Sequence, residues 1–251
     1  MSTNLKNSFP NKTEEELKII QDRFYRHFCD LTIEGVKIFS ISFEDARKRL
    51  VVKNPDILKP YFESGKSIIL VGGHYNNWEM LAVGIDSYID HKSVAIYHRI
   101  ENEFMNQKAL ASRSKYGLKM IARQEVRDFF KNDKSITATI FGADQSPTAA
   151  KKVYWMEFLN QDTPVMYGVE KFAKEQNQPV LYGHIQKVKR GHYEFVMELI
   201  TDDPLNSPYG EITEAHTKRL EKEILKAPQY WLWSHKRWKR KRETNQQSVS
   251  T

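Results

Sequence analysis

Short apolar runs rich in β-branched residues recur along this chain, separated by segments of helical periodicity. Residues 67–71, 93–97, 118–121 and 135–141 read as buried strands, each too short for a helix and bounded by glycine or polar residues. Between them, residues 76–89, 102–115 and 124–131 read as helices. Strands alternating with helices at this spacing predict a largely parallel sheet. Before this pattern, Thr13 with Glu16 forms a capping-box signature that opens a helix reaching about Gly35. Its stripe is Leu17, Ile20, Phe24, Phe28, Leu31 and Ile33. Ser42 with Asp45 opens a short second helix, Asn54-Pro55 breaks it or its successor, and residues 57–64 form another helical turn or two.

After the fourth run the pattern becomes irregular. Residues 146–162 carry Val153, Tyr154, Trp155, Met156, Phe158 and Leu159 between polar positions. Such a stretch serves as a lid or a wall for an apolar ligand, or it folds into the core. Thr163-Pro164 predicts a helix to about Asn177 with proline at its first position. Residues 179–186 and 192–199 alternate as strands about a turn at Lys189-Arg190-Gly191, which predicts an antiparallel edge. Residues 211–226 form a last helix. The fold class expected is α/β: a single domain over residues 1–242, its central sheet flanked by helices, with residues 243–251 as a disordered tail.

Composition narrows the options. The chain has 251 residues and a formal net charge of +7, which suits an acidic partner, an anionic membrane or nucleic acid. One cysteine, Cys29, excludes an internal disulfide framework and a cysteine-built metal site. No apolar run approaches the roughly 18–20 residues of a membrane span, and the polar start, MSTNLKNSFPNK, is no signal peptide. No Walker motif, dinucleotide fingerprint, nucleophile elbow or zinc-type histidine spacing is present, so no metal or cofactor is expected.

The candidate chemistry collects at strand ends. His74 leaves a Gly72-Gly73 turn after the first strand, and Glu79 follows five residues later at the start of a helix. An imidazole oriented by a carboxylate can take a proton near neutral pH. The spacing from Asn76 to Glu79 also fits a helix cap. His98-Arg99 follows the second strand and Asp144-Gln145 the strand at 135–141. In a parallel sheet all three clusters face one crevice. Arg99 suits an anion or a developing oxyanion, or a surface ion pair. Asp144 suits either substrate contact or a cap.

Four motifs in order resemble one family. GHYNNWE at residues 73–79 is similar to the His-x4-Asp/Glu motif of the lysophospholipid acyltransferase superfamily, and more narrowly to that of the lipid A biosynthesis late acyltransferases. IYHR at 96–99, ADQSP at 143–147 and QYWLWSHKRWKRK at 229–241 resemble that family's later motifs, and NLKNSFPNKTEEE at 4–16 its early segment. The resemblance implies a glycerolipid acyltransferase-like fold. It implies transfer of a fatty acyl group from acyl carrier protein or coenzyme A to a hydroxyl of a membrane glycolipid, a lipid A precursor. His74 would deprotonate that hydroxyl and Glu79 would orient His74. Arg99 would bind an anionic group, and Asp144 and Gln145 would shape the site. The acyl thioester would be the co-substrate, with no further cofactor. Family members carry an apolar anchor before the Asn-Leu motif, and this chain is expected to lack it and to bind the cytoplasmic face of the inner membrane peripherally.

Six of residues 235–242 are Lys or Arg, interleaved with Trp238. With Trp231 and Trp233 they are expected to engage an anionic bilayer. One competing reading keeps the fold and changes the acceptor to another lipid such as an aminolipid; the other is a basic protein that binds nucleic acid or membrane without catalysis. The latter accounts for neither His74 nor Asp144, so no nucleic-acid partner is expected.

Overall fold

The computed structural model describes residues 1–147 and 153–242. In chain order the elements begin with α1 (Ser2–Ser8), α2 (Glu14–Ile38), α3 (Phe43–Arg49), β1 (Leu50–Val52), α4 (Lys59–Glu63), β2 (Ile68–Gly72) and α5 (Trp78–Gly84). They continue with β3 (Lys92–Tyr97), α6 (Glu103–Ser114), β4 (Lys119–Ala122), α7 (Val126–Asn132), β5 (Thr137–Gly142), β6 (Val153–Phe158) and β7 (Gln161–Met166). The last are α8 (Gly168–Gln176), β8 (Val180–Lys189), β9 (His192–Thr201) and α9 (Glu211–Lys226).

Seven strands form the central sheet in the order β1-β9-β8-β2-β5-β3-β4. β2 pairs in parallel with β5 and β8, and β3 in parallel with β5 and β4. The β8–β9 hairpin reverses direction, and β1 adds beyond it, parallel to β9. The antiparallel edge expected from the alternating strands is therefore two strands wide. Ile68 to Val71 are all at most 1% exposed, because successive side chains enter opposite cores. Ile69 and Val71 meet Phe24, Val180 and Ile212 on one face. Ile68 and Leu70 meet Leu50, Met80 and Phe195 on the other.

α2 has the expected capping box: Thr13 Oγ1 accepts from the Glu16 N–H, and Glu16 accepts from the Thr13 N–H. It runs three residues past Gly35, and its stripe is only partly covered: Ile20 and Phe24 are buried while Ile33 is 69% exposed. The helix opened by Ser42 stops at Arg49. Leu50-Val51-Val52 is its successor and joins the sheet, with Leu50 and Val52 buried and Val51 exposed.

The largest departure lies at 153–166. Residues 153–158 are a strand rather than an irregular wall, and Thr163-Pro164 continues its partner instead of starting a helix. Leu159 and Asn160, at φ 51° and 58°, make the left-handed turn that folds β6 onto β7. In this separate two-stranded ribbon Pro164 faces Trp155, a position where a missing N–H is tolerated. α8 starts only at Gly168.

The segment after α9 also departs from expectation. Trp231 and Trp233 are 3% and 1% exposed and stack edge to face in the core. Trp238 bonds Thr163 Oγ1, and Arg237, 2% exposed, donates to the Pro164 carbonyl. Neither Trp231 nor Trp233 is available to a headgroup region. The tail at 243–251 lies outside the described residues.

Candidate active site

β2 ends at Gly72, and the chain turns through Gly73 to present His74 beside the end of β5. Gly142 makes room for it: a Cβ there would stand 3.0 Å from His74 Cε1. Asn76 holds the turn in the left-handed region at φ 54°, with its amide donated to the Ile185 carbonyl at 2.7 Å. Asn77, rather than Asn76, caps α5 by accepting from the Met80 N–H at 2.8 Å. Its own amide donates to Glu34, a buried carboxylate that also accepts from the Tyr193 hydroxyl.

The carboxylate on His74 is Asp144, not Glu79. His74 Nδ1 lies 2.6 Å from Asp144 Oδ1, and the His74 N–H donates to Asp144 Oδ2 at 2.9 Å. The Trp231 indole N–H donates to Oδ2 as well, at 2.8 Å. Burial resists ionisation of Asp144, but the charge and hydrogen bonds of His74, with the Trp231 bond, outweigh it and hold the pKa below the ordinary range. For His74, burial opposes the imidazolium, and the Asp144 carboxylate outweighs that, so its pKa is raised. Nδ1 committed to Asp144 leaves Nε2 as the ring nitrogen that can meet a substrate.

Glu79, in the first turn of α5, holds a different partner. Arg113 of α6 donates Nε and Nη2 to its two carboxylate oxygens at 2.8 and 2.5 Å, a two-bond fork. The Trp78 indole donates to the same carboxylate at 3.2 Å, and its ring stands edge to face on His74 with centroids 5.0 Å apart. Spacing and the His-x4-Glu motif point to Glu79 as the partner of His74. In space the rigid fork of Arg113 takes both oxygens of Glu79, and Asp144 meets the imidazole from the next strand. No helix-cap role falls to Glu79 either, since Asn77 fills it.

His74, Glu79, Arg113 and Gln145 line one cleft of about 1240 Å3, with Leu118 and Phe172 on its apolar walls. Arg99 stands apart from them, 55% exposed at its side chain and paired with Glu103 at 3.0 Å. The surface ion pair is thus the reading of Arg99 that the geometry matches. His184, on β8, bonds Glu223 and Glu198 away from this cleft. Among the described residues no group of three or more His, Cys, Asp or Glu side chains converges as a metal site.

Arg113 and Trp231 are the residues that sequence reasoning missed. Arg113 sits in a polar helix with no local signal of its own. Trp231 did belong to a recognisable motif, and its backbone shows how it reaches the site. The Leu232 N–H donates to the His74 carbonyl, and the Asn76 N–H donates to the Tyr230 carbonyl. His235 Nε2 in turn accepts from the Ser146 N–H at 3.0 Å. The closing segment thus clamps both halves of the dyad.

Known proteins with this pattern point one way. The family model described as bacterial lipid A biosynthesis acyltransferase matches residues 1–240. A lipid A biosynthesis palmitoleoyltransferase of Escherichia coli (strain K12) is 25% identical over 241 residues, 94% of this chain and 76% of that protein. A lipid A biosynthesis acyltransferase of Shigella flexneri matches with the same identity and coverage.

Proposed function

The chain belongs to the bacterial lipid A biosynthesis acyltransferase family, and on that premise we propose that it moves a fatty acyl group from a thioester to a hydroxyl of a lipid A precursor. The observation that carries this reading is the His74–Asp144 pair, 2.6 Å apart, at the polar end of a large half-apolar cleft. His74 Nε2 takes the proton of the acceptor hydroxyl as its oxygen attacks the thioester carbonyl. Asp144 keeps Nδ1 protonated and stabilises the imidazolium. Collapse of the tetrahedral intermediate expels the thiolate, which recovers the proton from His74. Arg113, held in place by Glu79, supplies the positive charge nearest the reacting centre and stabilises the developing oxyanion. Gln145 lines the same end and contacts the substrate. Arg99, paired with Glu103 at the surface, takes no part in this step.

The donor is an acyl thioester of acyl carrier protein or of coenzyme A. Arg127 and Lys171 line the same cleft and suit the phosphate that both carriers bear on their pantetheine arm. No helix among the described residues is long and apolar enough to cross a membrane. The enzyme works at the cytoplasmic face of the inner membrane, where the exposed Lys236, Lys239 and Lys241 favour an anionic surface.

Mass spectrometry of lipids from cells with and without the protein tests this reading. Loss of one acyl chain from a lipid A species is expected, with no rescue by His74→Ala. Full rescue by a folded His74→Ala protein would overturn it.

A further inference from the structure

Beside Asp144 lies a small cavity of about 10 Å3, distinct from the large cleft but sharing Gly72 and Ala143 with its wall. Asp144, His216, Thr217 and Arg237 supply its polar wall, and Phe158 and Leu220 are among its apolar neighbours. Arg237 is 2% exposed and His216 4%. Arg237 spends Nη2 on the Pro164 carbonyl at 2.7 Å, while its Nε and Nη1 have no partner among the described residues. His216 Nε2 has none either. Buried donors and acceptors left in this way are costly, and native structures satisfy them with ordered water.

The donor and acceptor pattern selects the occupant. Burial outweighs the Asp144 charge and keeps His216 neutral, with its pKa pushed down to about 3. Its Nδ1 lies 3.4 Å from Thr217 Oγ1, whose own hydrogen goes to the Thr213 carbonyl. That oxygen can therefore only accept, which places the hydrogen on Nδ1 and leaves Nε2 as an acceptor. Arg237 offers two donor nitrogens. A water accepts from Arg237 and donates to His216. A small anion has no hydrogen for Nε2 and would stand against the Asp144 carboxylate. The cavity volume matches about one water.

We propose that Arg237 and His216 bind a single water beside Asp144, and that Arg237, acting through Asp144, tempers how tightly His74 holds a proton. Asp144 alone favours a protonated His74, which cannot act as a base. A cation beside the carboxylate offsets part of that pull. The other groups facing His74 are Glu79 and Arg113 across the cleft and His235 on the closing segment. Arg237 touches no substrate, so it is a positioning residue. Its catalytic meaning rests on His74 being the base proposed above, but its test does not require acyl transfer.

The test follows the His74 imidazole by NMR in histidine-labelled protein, with His74→Ala identifying the signal. Removing a buried cation makes the imidazolium easier to form, so Arg237→Met should raise the His74 midpoint by roughly half a unit to one unit. Arg237→Lys keeps the charge and should restore the midpoint. Trp238→Phe, which loses the neighbouring bond to Thr163, should not move it. An unchanged midpoint in Arg237→Met, or an equal shift in Trp238→Phe, overturns the tuning. Should Arg237→Met fail to fold, Arg237→Gln makes the same comparison. In crystals of the unmutated protein, one water-sized peak should bridge Arg237 and His216 Nε2. An anomalous bromide peak after a bromide soak, or no peak, overturns the water.

Discussion

Trp231 donates its indole N–H to Asp144 Oδ2 at 2.8 Å, from a segment 87 residues away in sequence. It is one of three donors that aim this carboxylate, together with the backbone and ring N–H groups of His74. Trp231→Phe keeps most of the buried ring and deletes that donor. A hydrogen bond to a charged acceptor contributes about 2 kcal/mol, so a loss of that size in denaturant unfolding is expected. A fall in kcat/KM should accompany it.

Asp144→Asn tests the dyad itself. The amide can still accept one hydrogen bond, but it carries no charge for the imidazolium and no longer fixes the ring tautomer. Acyl transfer should drop by about 10²- to 10⁴-fold with the circular-dichroism spectrum unchanged. Near-normal kcat would remove Asp144 from the mechanism.

Glu79 and Arg113 should behave as one unit. Glu79→Gln breaks the two-bond fork and releases a guanidinium that is half-buried beside the reacting centre. Arg113→Lys fails for a different reason, because an ammonium cannot make the planar pair. In kcat/KM, the Glu79→Gln/Arg113→Gln double variant should be little worse than either single variant. Additive losses would show that the two residues act separately.

The pH dependence of stability should carry the mark of two buried histidines. His27 is pushed down to about 4 by burial with help from Lys187, and His216 to about 3 by burial. Unfolded histidine titrates near 6.5, so below that pH the unfolded chain binds protons that the folded one refuses. Stability therefore falls as pH drops from about 6.5 toward 4, by up to about 3 kcal/mol for His27. His27→Leu should flatten that slope in thermal melts between pH 7 and 4.5.

Membrane attachment needs a gentler test than deletion of the closing segment, since a chain ending at Ser234 would lose the core residues Arg237 and Trp238. Charge reversal at the exposed Lys236, Lys239 and Lys241 leaves the core alone. Each lysine near an anionic surface is worth about 1 kcal/mol at low salt. The triple variant should lose co-sedimentation with anionic vesicles. Undiminished binding would place the contact elsewhere on the protein.

Much of the sheet was legible because its signals are local. Ile68 to Val71 is a run that suits burial on both faces, and the glycines around it mark its ends. The turn signal at Arg190-Gly191 and the caps at Thr13 and Ser42 were equally local. The ribbon at 153–166 was not, because Thr163-Pro164 imitates a helix start and nothing nearby reveals the positive φ of Leu159 and Asn160. The convergence of His74 and Asp144 followed from parallel strands ending at one crevice. The choice of Asp144 over Glu79 depended on Arg113, which reaches Glu79 from another helix. Trp231 and Trp233 look interfacial by composition, and only the fold places them inside.

β2 has consequences for how this protein gains activity. Its sheet neighbours, β5 and β8, come from positions about 70 and 110 residues later, and the loop it carries is tied to residues near 230. Each such closure must be made against chain entropy before the next contact rewards it. The groups around His74 therefore come into register only when segments as far apart as β2 and residues near 230 have docked. In refolding, catalytic competence should appear after the helical signal and after the burial of most tryptophans. A nick in the α8–β8 connection should abolish turnover rather than scale it down.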